Sequence, residues 1–195
     1  MINYIFGFFL IVGIVYGVIT GNISSINDVF ITDSKGSIDI IFNMIPLLCL
    51  WLGVMKIASD SGLIKKISKY MSRIIHPIFP ELKKDSKSIS YISSNIVMNM
   101  LGLGSAATPF GLKAMEELNK ENNNSDIASR SMITFLVINT ASVTIIPTTV
   151  ISFRVLNGSK NPSDILLACI ITTILSCLFG ILLDKLIYKI WSKYD

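Results

Sequence analysis

Hydrophobic positions in this chain fall into five long runs, and the polar positions of interest lie inside those runs rather than between them. Met1 to Asn27 carries no charged side chain, and Ile2 to Ile19 is long enough to predict a membrane helix. The stretch lacks the basic start and cleavage site of a secretory signal, so it is read as retained. A second run, Ile40 to Met55, contains Pro46 and is stopped by Asp60, Ser61 and Gly62. A third extends from Ser88 to Leu112 without a charge. Ser131 to Phe153 gives a fourth, of 23 uncharged residues, and Ile165 to Leu183 a fifth, of 19. The fifth is the cleanest spanning helix of the set.

The third and fourth runs are not plain helices. Within SNIVMNMLGLGSAATPFG, Asn95 and Asn99 are four apart and share a helix face, with Gly102 about a turn beyond. Gly104, Ser105, Ala106, Ala107 and Thr108 follow, and Pro109 is expected to break the helix because it lacks a donor and crowds the preceding turn. Such a break frees backbone polar groups that lipid cannot satisfy, so it must be buried in protein or line a wet cavity. The fourth run repeats the theme, with Asn139 and Thr140, then small residues, then Pro147 and Thr148. Paired discontinuous helices of this kind point to a midplane binding site.

Two readings of these residues stand side by side. In one, the small residues let helices approach closely and Asn or Thr bonds across the interface. In the other, the same packing also forms a solute path or gate. Its lining would come from Asn95, Asn99, Gly102, Gly104, Ser105, Thr108, Pro109, Asn139, Thr140, Pro147 and Thr148. Asn and Thr suit a polar uncharged solute, since each offers donors and acceptors without a buried charge. Backbone amides from Gly102 to Ala106, or a half-helix N-terminus near Pro109, could also meet an anionic group.

Leu63 to Lys87 differs in kind. Leu63, Ile67, Tyr70, Met71 and Ile74 form one helical stripe and Lys66, Lys69 and Arg73 another, the pattern of a helix lying in the membrane interface. Packing of that basic helix on a partner protein is the alternative. From Lys65 to Lys87 the chain holds seven Lys or Arg, which assigns this stretch to the cytoplasm, as does the tail with Lys185, Lys189 and Lys193. The loop from Gly21 to Asp39, with Asp28, Asp33 and Asp39 against Lys35, suits the outer side. Parity then requires either the third or the fourth run to enter and leave on the same side, and the pattern does not choose between them. Between them, Ser125 or Asp126 is an expected N-cap for the fourth run.

Composition narrows the function classes. The chain has 195 residues, half of them hydrophobic and 15% charged, at a mean hydropathy of +0.63. Its net charge of +4 comes without the exposed aromatics that nucleic-acid binding needs, so no nucleic-acid partner is expected. Cys49, Cys169 and Cys177 sit in apolar segments and read as small buried hydrophobes. A lone His76, at a helix end, makes a His-based metal site unexpected. No cofactor is expected. No Asp, Glu or His lies inside the runs, and Ser105 has no base near it in sequence, so catalysis is not the expected role.

Three stretches carry a resemblance to a known group: Trp51 to Leu63 (WLGVMKIASDSGL), Ser94 to Leu118 (SNIVMNMLGLGSAATPFGLKAMEEL) and Ser129 to Ile151 (SRSMITFLVINTASVTIIPTTVI). Together they resemble the spore maturation protein A family, membrane proteins of endospore-forming bacteria with a Gate, or nucleoside-recognition, domain. Trp51, Gly53, Gly111 and the site residues above, apart from Ser105 and Thr140, match its motifs, as do Ser94, Ala106 and Ala107. The resemblance implies a part in spore-core dehydration and heat resistance, with a second Gate protein, spore maturation protein B, or a further copy of the chain as partner. It carries over no catalytic residue.

The expected fold is all-α, a polytopic membrane protein with about four spanning helices, broken or re-entrant helices and an amphipathic interfacial helix. Residues 1–37 would form an N-terminal membrane helix and outer loop, 38–157 the Gate domain, and 158–195 a C-terminal membrane helix and basic tail. The expected role is half of a transport or gating complex moving a small solute across the forespore or mother-cell membrane, in contact with lipid. A non-transporting scaffold that supports cortex peptidoglycan modification is the alternative.

Overall fold

The computed structural model describes residues 2–22, 28, 29, 32 and 34–191. Parts of the acidic loop, Asp33 included, and the tail at Lys193 lie outside the described residues. Among those described, every regular element is helical. The chain divides into two units, residues 1–47 and 48–195.

In the first unit, α1 (Ile2–Ile19) coincides with the predicted span. Its side chains are exposed almost throughout, and only Gly17 is buried. An uncharged helix of 18 residues with its apolar surface facing outward is matched to lipid. Residue 47 falls within α2 (Ser34–Asp60), which contains Pro46 and is likewise long and apolar enough to cross a membrane. Gly62, at φ 76°, turns the chain after it.

The second unit begins with the end of α2 and continues into α3 (Leu63–Ile75). The helix is amphipathic, but it has three faces rather than two. Ile64, Ser68 and Ile75 are buried, Leu63, Tyr70 and Ile74 are exposed, and the basic residues occupy the remaining arc. A 3₁₀ turn (His76–Ile78) ends it, and the His76 ring Nε2 lies 3.0 Å from the Leu82 carbonyl, closing the loop. Then come α4 (Lys87–Met100), α5 (Gly104–Glu121), α6 (Arg130–Thr140), α7 (Thr148–Leu156), a 3₁₀ turn (Pro162–Ile165) and α8 (Leu166–Trp191). The N-cap of α6 is Ser129, whose hydroxyl accepts from Met132 N. Ser125, expected as a cap, instead accepts from Ile127 N in the preceding turn. The cysteines also divide: Cys177 is buried, Cys169 half-buried, and Cys49 exposed on the apolar surface of α2.

Two cores organise this unit. Phe79, Ile89, Ile92, Leu118 and Phe135 fill one where α3, α4, α5 and α6 meet. Burying each such side chain away from water contributes about 1.5–3 kcal/mol. Val97, Met98, Leu103 and Ala107 fill the other, around the first break, with Trp51 against them. Polar stitches close the charged end, from Ser88 Oγ to Glu121 at 2.8 Å and from Ser131 Oγ to Glu81 at 2.9 Å.

The two interrupted runs fold differently. Contacts of Ser88 with Glu121 and of Asn95 with Ala107 make α4 and α5 an antiparallel hairpin. By contrast α6 and its break run antiparallel to α8, and α7 reaches the 3₁₀ turn that precedes it. Arg130 meets Asp184, Val137 packs at Gly180, Thr144 meets Thr173 and Arg154 meets Asp164. At a rise of 1.5 Å per residue, the stretch of chain from Asp164 to Asp184 is about 30 Å long.

Candidate functional site

The first break is a tight reversal at Leu101 to Leu103. Gly102 adopts φ +74°, its N–H bonds Asn99 O at 2.9 Å, and Leu103 N bonds Met98 O at 2.9 Å. This is a Schellman motif, whose left-handed residue favours glycine. Space makes the same demand. A Cβ on Gly102 would lie 2.3 Å from Ile146 O.

The second break, Ala141 to Pro147, is what presses against it. The amides of Ile145 and Ile146 both donate to Met100 O, at 2.9 and 3.1 Å. Thr148 Oγ1 donates to Gly102 O at 3.1 Å and Trp51 Nε1 to Leu101 O at 3.3 Å. With the local bonds to Val97 O, Met98 O and Asn99 O, each carbonyl from Val97 to Gly102 therefore has a partner. In the second break, Thr144 N donates to Thr173 Oγ1 at 3.2 Å. Of the carbonyls that this helix end and its turn would leave open, Met100 O and Gly102 O are satisfied by the other interrupted segment.

A chain of carboxamides crosses the junction. Asn99 Nδ2 donates to Asn139 Oδ1 at 3.2 Å and to Asn95 Oδ1 at 3.3 Å, and Asn95 Nδ2 donates to Ala107 O at 3.0 Å. Asn95 is 2% exposed, Asn99 half-buried and Asn139 exposed. Asn99 Oδ1 and Asn139 Nδ2 have no partner among the described residues, leaving one acceptor and one donor side by side.

Two open cavities flank this chain. One, of about 280 Å³, is lined by Asn95, Asn99, Gly104, Thr108 and Asn139 together with Gly111, Phe135 and neighbours. The other, of about 380 Å³, is lined by Asn99, Gly102, Gly104, Pro147 and Thr148, with Ser142, Thr144 and Thr173. Asn99 and Gly104 belong to both, and neither lining includes a charged residue. The N-terminal ends of α5 and α7 have no side-chain cap, and both border the second cavity, at Gly104 and at Thr148 and Thr149. Their partial positive charge favours an oxygen-bearing group there.

The residues singled out from the sequence are thus mostly brought together, with three exceptions. Ser105, Pro109 and Thr140 line neither cavity, and the Thr140 hydroxyl turns back to Leu136 O at 2.8 Å. Pro109 does not break the helix. It lies inside α5, which begins five residues earlier at Gly104, so the interruption belongs to Gly102. At this sixth helical position the proline removes the amide that would have bonded Ser105 O, and the helix forms despite that loss. Trp51, singled out only as a motif match, and Thr173, not singled out at all, both act at the junction, and neither has a distinguishing spacing in sequence.

Arg130 and Asp184 were also missed. Their guanidinium and carboxylate form a bidentate pair at 2.6 and 2.5 Å, Thr134 Oγ1 adds a bond at 3.0 Å, and the Tyr188 ring stacks 4.6 Å from the guanidinium. The only signal was that each closes the end of an apolar run.

A family model described as Gate, nucleoside recognition, matches residues 41–183. The chain is 41% identical over 188 residues to spore maturation protein A of Bacillus subtilis (strain 168), covering 96% of each chain. It belongs to the spore maturation protein A family. No solved structure matches the chain. The matched span includes both breaks and the residues that build their junction in this membrane protein. Gly111 illustrates how closely they fit, since a Cβ there would lie 2.9 Å from Asn95 Nδ2.

Proposed function

We propose that this chain is a multi-pass sporulation protein supplying half of a gate for a small polar solute in the forespore or mother-cell membrane. In this reading it contributes to spore-core dehydration and heat resistance. The observation that carries it is the meeting of two helix breaks beside two uncharged cavities that share Asn99 in their walls. Small-residue packing alone does not require a free acceptor and donor, Asn99 Oδ1 and Asn139 Nδ2, at a cavity wall. Catalysis is not part of the proposal. Among the described residues no hydrogen bond joins Ser105 to a carboxylate or an imidazole, and buried Asp184 is already engaged by Arg130 and Thr134.

The topology follows from charge and register. The basic stretch from Lys65 to Lys87 is cytoplasmic, so the hairpin of α4 and α5 enters from that side and returns to it. α6 and α7 together cross, over about 30 Å, and α8 crosses back, which keeps the basic end of α8 in the cytoplasm. With α1 and α2 the chain then makes four crossings. Cysteines introduced at Ser125 and Ser159 should react with a membrane-impermeant thiol reagent from opposite sides. Labelling of both from one side would overturn this topology.

The functional test is a flux assay in vesicles containing this chain with and without a second Gate protein of the spore maturation protein B type. Replacing Asn99 and Asn139 by Leu should abolish flux and leave spores wetter and heat-sensitive. Unchanged core water in that double variant would favour a scaffold acting through its loops.

A further inference from the structure

Between α3 and the start of α4 lies a cavity of about 270 Å³ that the gate does not use. Lys65, Lys69 and Lys84 line it with five serines, and Asp85 is the one carboxylate among the lining residues. Among the described residues none of these lysines has an ion-pair partner. Ser68 also lines the cavity. It is 6% exposed, and its hydroxyl has no hydrogen-bond partner. Nearby buried hydroxyls are engaged, Ser93 with Ile89 O at 2.6 Å and Ser88 with Glu121 at 2.8 Å. An orphaned buried hydroxyl is unfavourable unless something else fills its place. The positive end of α4 adds to the field, since its cap Ser86 and first-turn Ser90 border the same space.

Helix geometry identifies which side the cavity faces. At 3.6 residues per turn, Leu63, Ile67, Tyr70 and Ile74 make the apolar stripe of α3, and Leu63, Tyr70 and Ile74 are exposed. Lys65, Ser68, Lys69 and Ser72 lie about half a turn away from it, on the side turned from lipid. We propose that this cavity binds a phosphoryl group carried by a water-soluble small molecule on the cytoplasmic face. Three cations and hydroxyl donors around one space match a tetrahedral group with about −1.5 to −2 charge and three acceptor oxygens. One carboxylate, Asp85, offsets one of the three positive charges. The volume leaves room for part of the molecule that carries the group.

The test is calorimetric titration of the full-length protein in uncharged phosphatidylcholine nanodiscs with inorganic phosphate and with glycerol 3-phosphate. Both should bind. The triple variant Lys65→Gln, Lys69→Gln, Lys84→Gln should weaken binding at least about tenfold, because each loses a charge-assisted bond. Ser68→Ala should weaken it by a smaller factor with folding intact. Lys66→Gln with Arg73→Gln, on the basic arc outside the cavity, should leave it unchanged. The proposal is overturned if the native chain ignores both probes, if the triple variant binds them equally well, or if the Lys66 and Arg73 variant loses as much. Repeating the titration in phosphatidylglycerol nanodiscs at matched ionic strength separates the sources. Unchanged phosphate affinity supports the soluble ligand, and loss of phosphate binding there would assign the cavity to a lipid headgroup and overturn that part.

Discussion

After Asn99 the chain turns back within three residues, Leu101 to Leu103, and α5 retraces α4, whereas after Asn139 it runs on through the seven residues from Ala141 to Pro147 and α7 goes on to the 3₁₀ turn before α8. Both segments carry an asparagine, small residues and a proline, yet one makes a hairpin and the other, in the proposed topology, a crossing. The first has Gly102 in the left-handed conformation that closes a Schellman motif. The second has no glycine between Ala141 and Pro147, and its irregular chain donates two amides to its neighbour. An apolar run of membrane length is therefore not yet a crossing. What its break does with the freed backbone groups decides.

The comparison can be broken most severely at the crossing's fastened end. Asp184→Asn leaves Arg130, whose side chain is 18% exposed, without its ionic partner, and such a loss costs about 3–5 kcal/mol for a buried pair. Thermal unfolding in detergent should show it, with the hairpin core spared. A fall no larger than a surface pair gives would refute the role of this pair. The hairpin has its own weak point in Gly102. Gly102→Ala should cost about 2–5 kcal/mol, adding a left-handed penalty of about 1–2 to overpacking of about 1–3 against Ile146 O. Gly104→Ala, two residues on, meets nothing within 4 Å and should stay within about 0.5 kcal/mol. Equal losses at the two glycines would mean the reversal does not depend on Gly102.

Smaller effects test the contact between the segments. Thr148→Val removes the donor to Gly102 O and should cost about 1–3 kcal/mol if that carbonyl stays dry, or almost nothing if water enters from the adjoining cavity. Hydrogen exchange at the Ile145 and Ile146 amides should rise along with it. At the other end of the crossing, Asp164→Asn should change stability by about 1 kcal/mol or less, because the Asp164 side chain is 59% exposed and its pair with Arg154 is screened. A larger loss there would make the two ends of the crossing equivalent.

Much of this was readable in advance. The bounds of α1 followed from an uncharged run with nothing to interrupt it, and the two interruptions followed from Gly and Pro inside apolar sequence. The asparagines were recognisable because a carboxamide at membrane depth needs a partner. Other features were not. Pro109 looked like the break, but the helix forms through it at the cost of one backbone bond, and the reversal falls at Gly102 instead. The third face of α3 was hidden because the buried Ile64 and Ile75 and the exposed Leu63 and Ile74 are alike apolar in sequence.

Sequence alone determined where chain could be apolar, where a helix had to be interrupted, and which loops carry the positive charge, since each of these is a property of residues close together along the chain. Only the tertiary structure decided which interrupted segment folds back on itself and which runs on. That choice rests on partners far apart in sequence: Ile145 and Ile146 for Met100, Thr148 for Gly102, Asp184 for Arg130. A backbone group freed by a break must find a partner in space, and nothing local to the break specifies which one it finds.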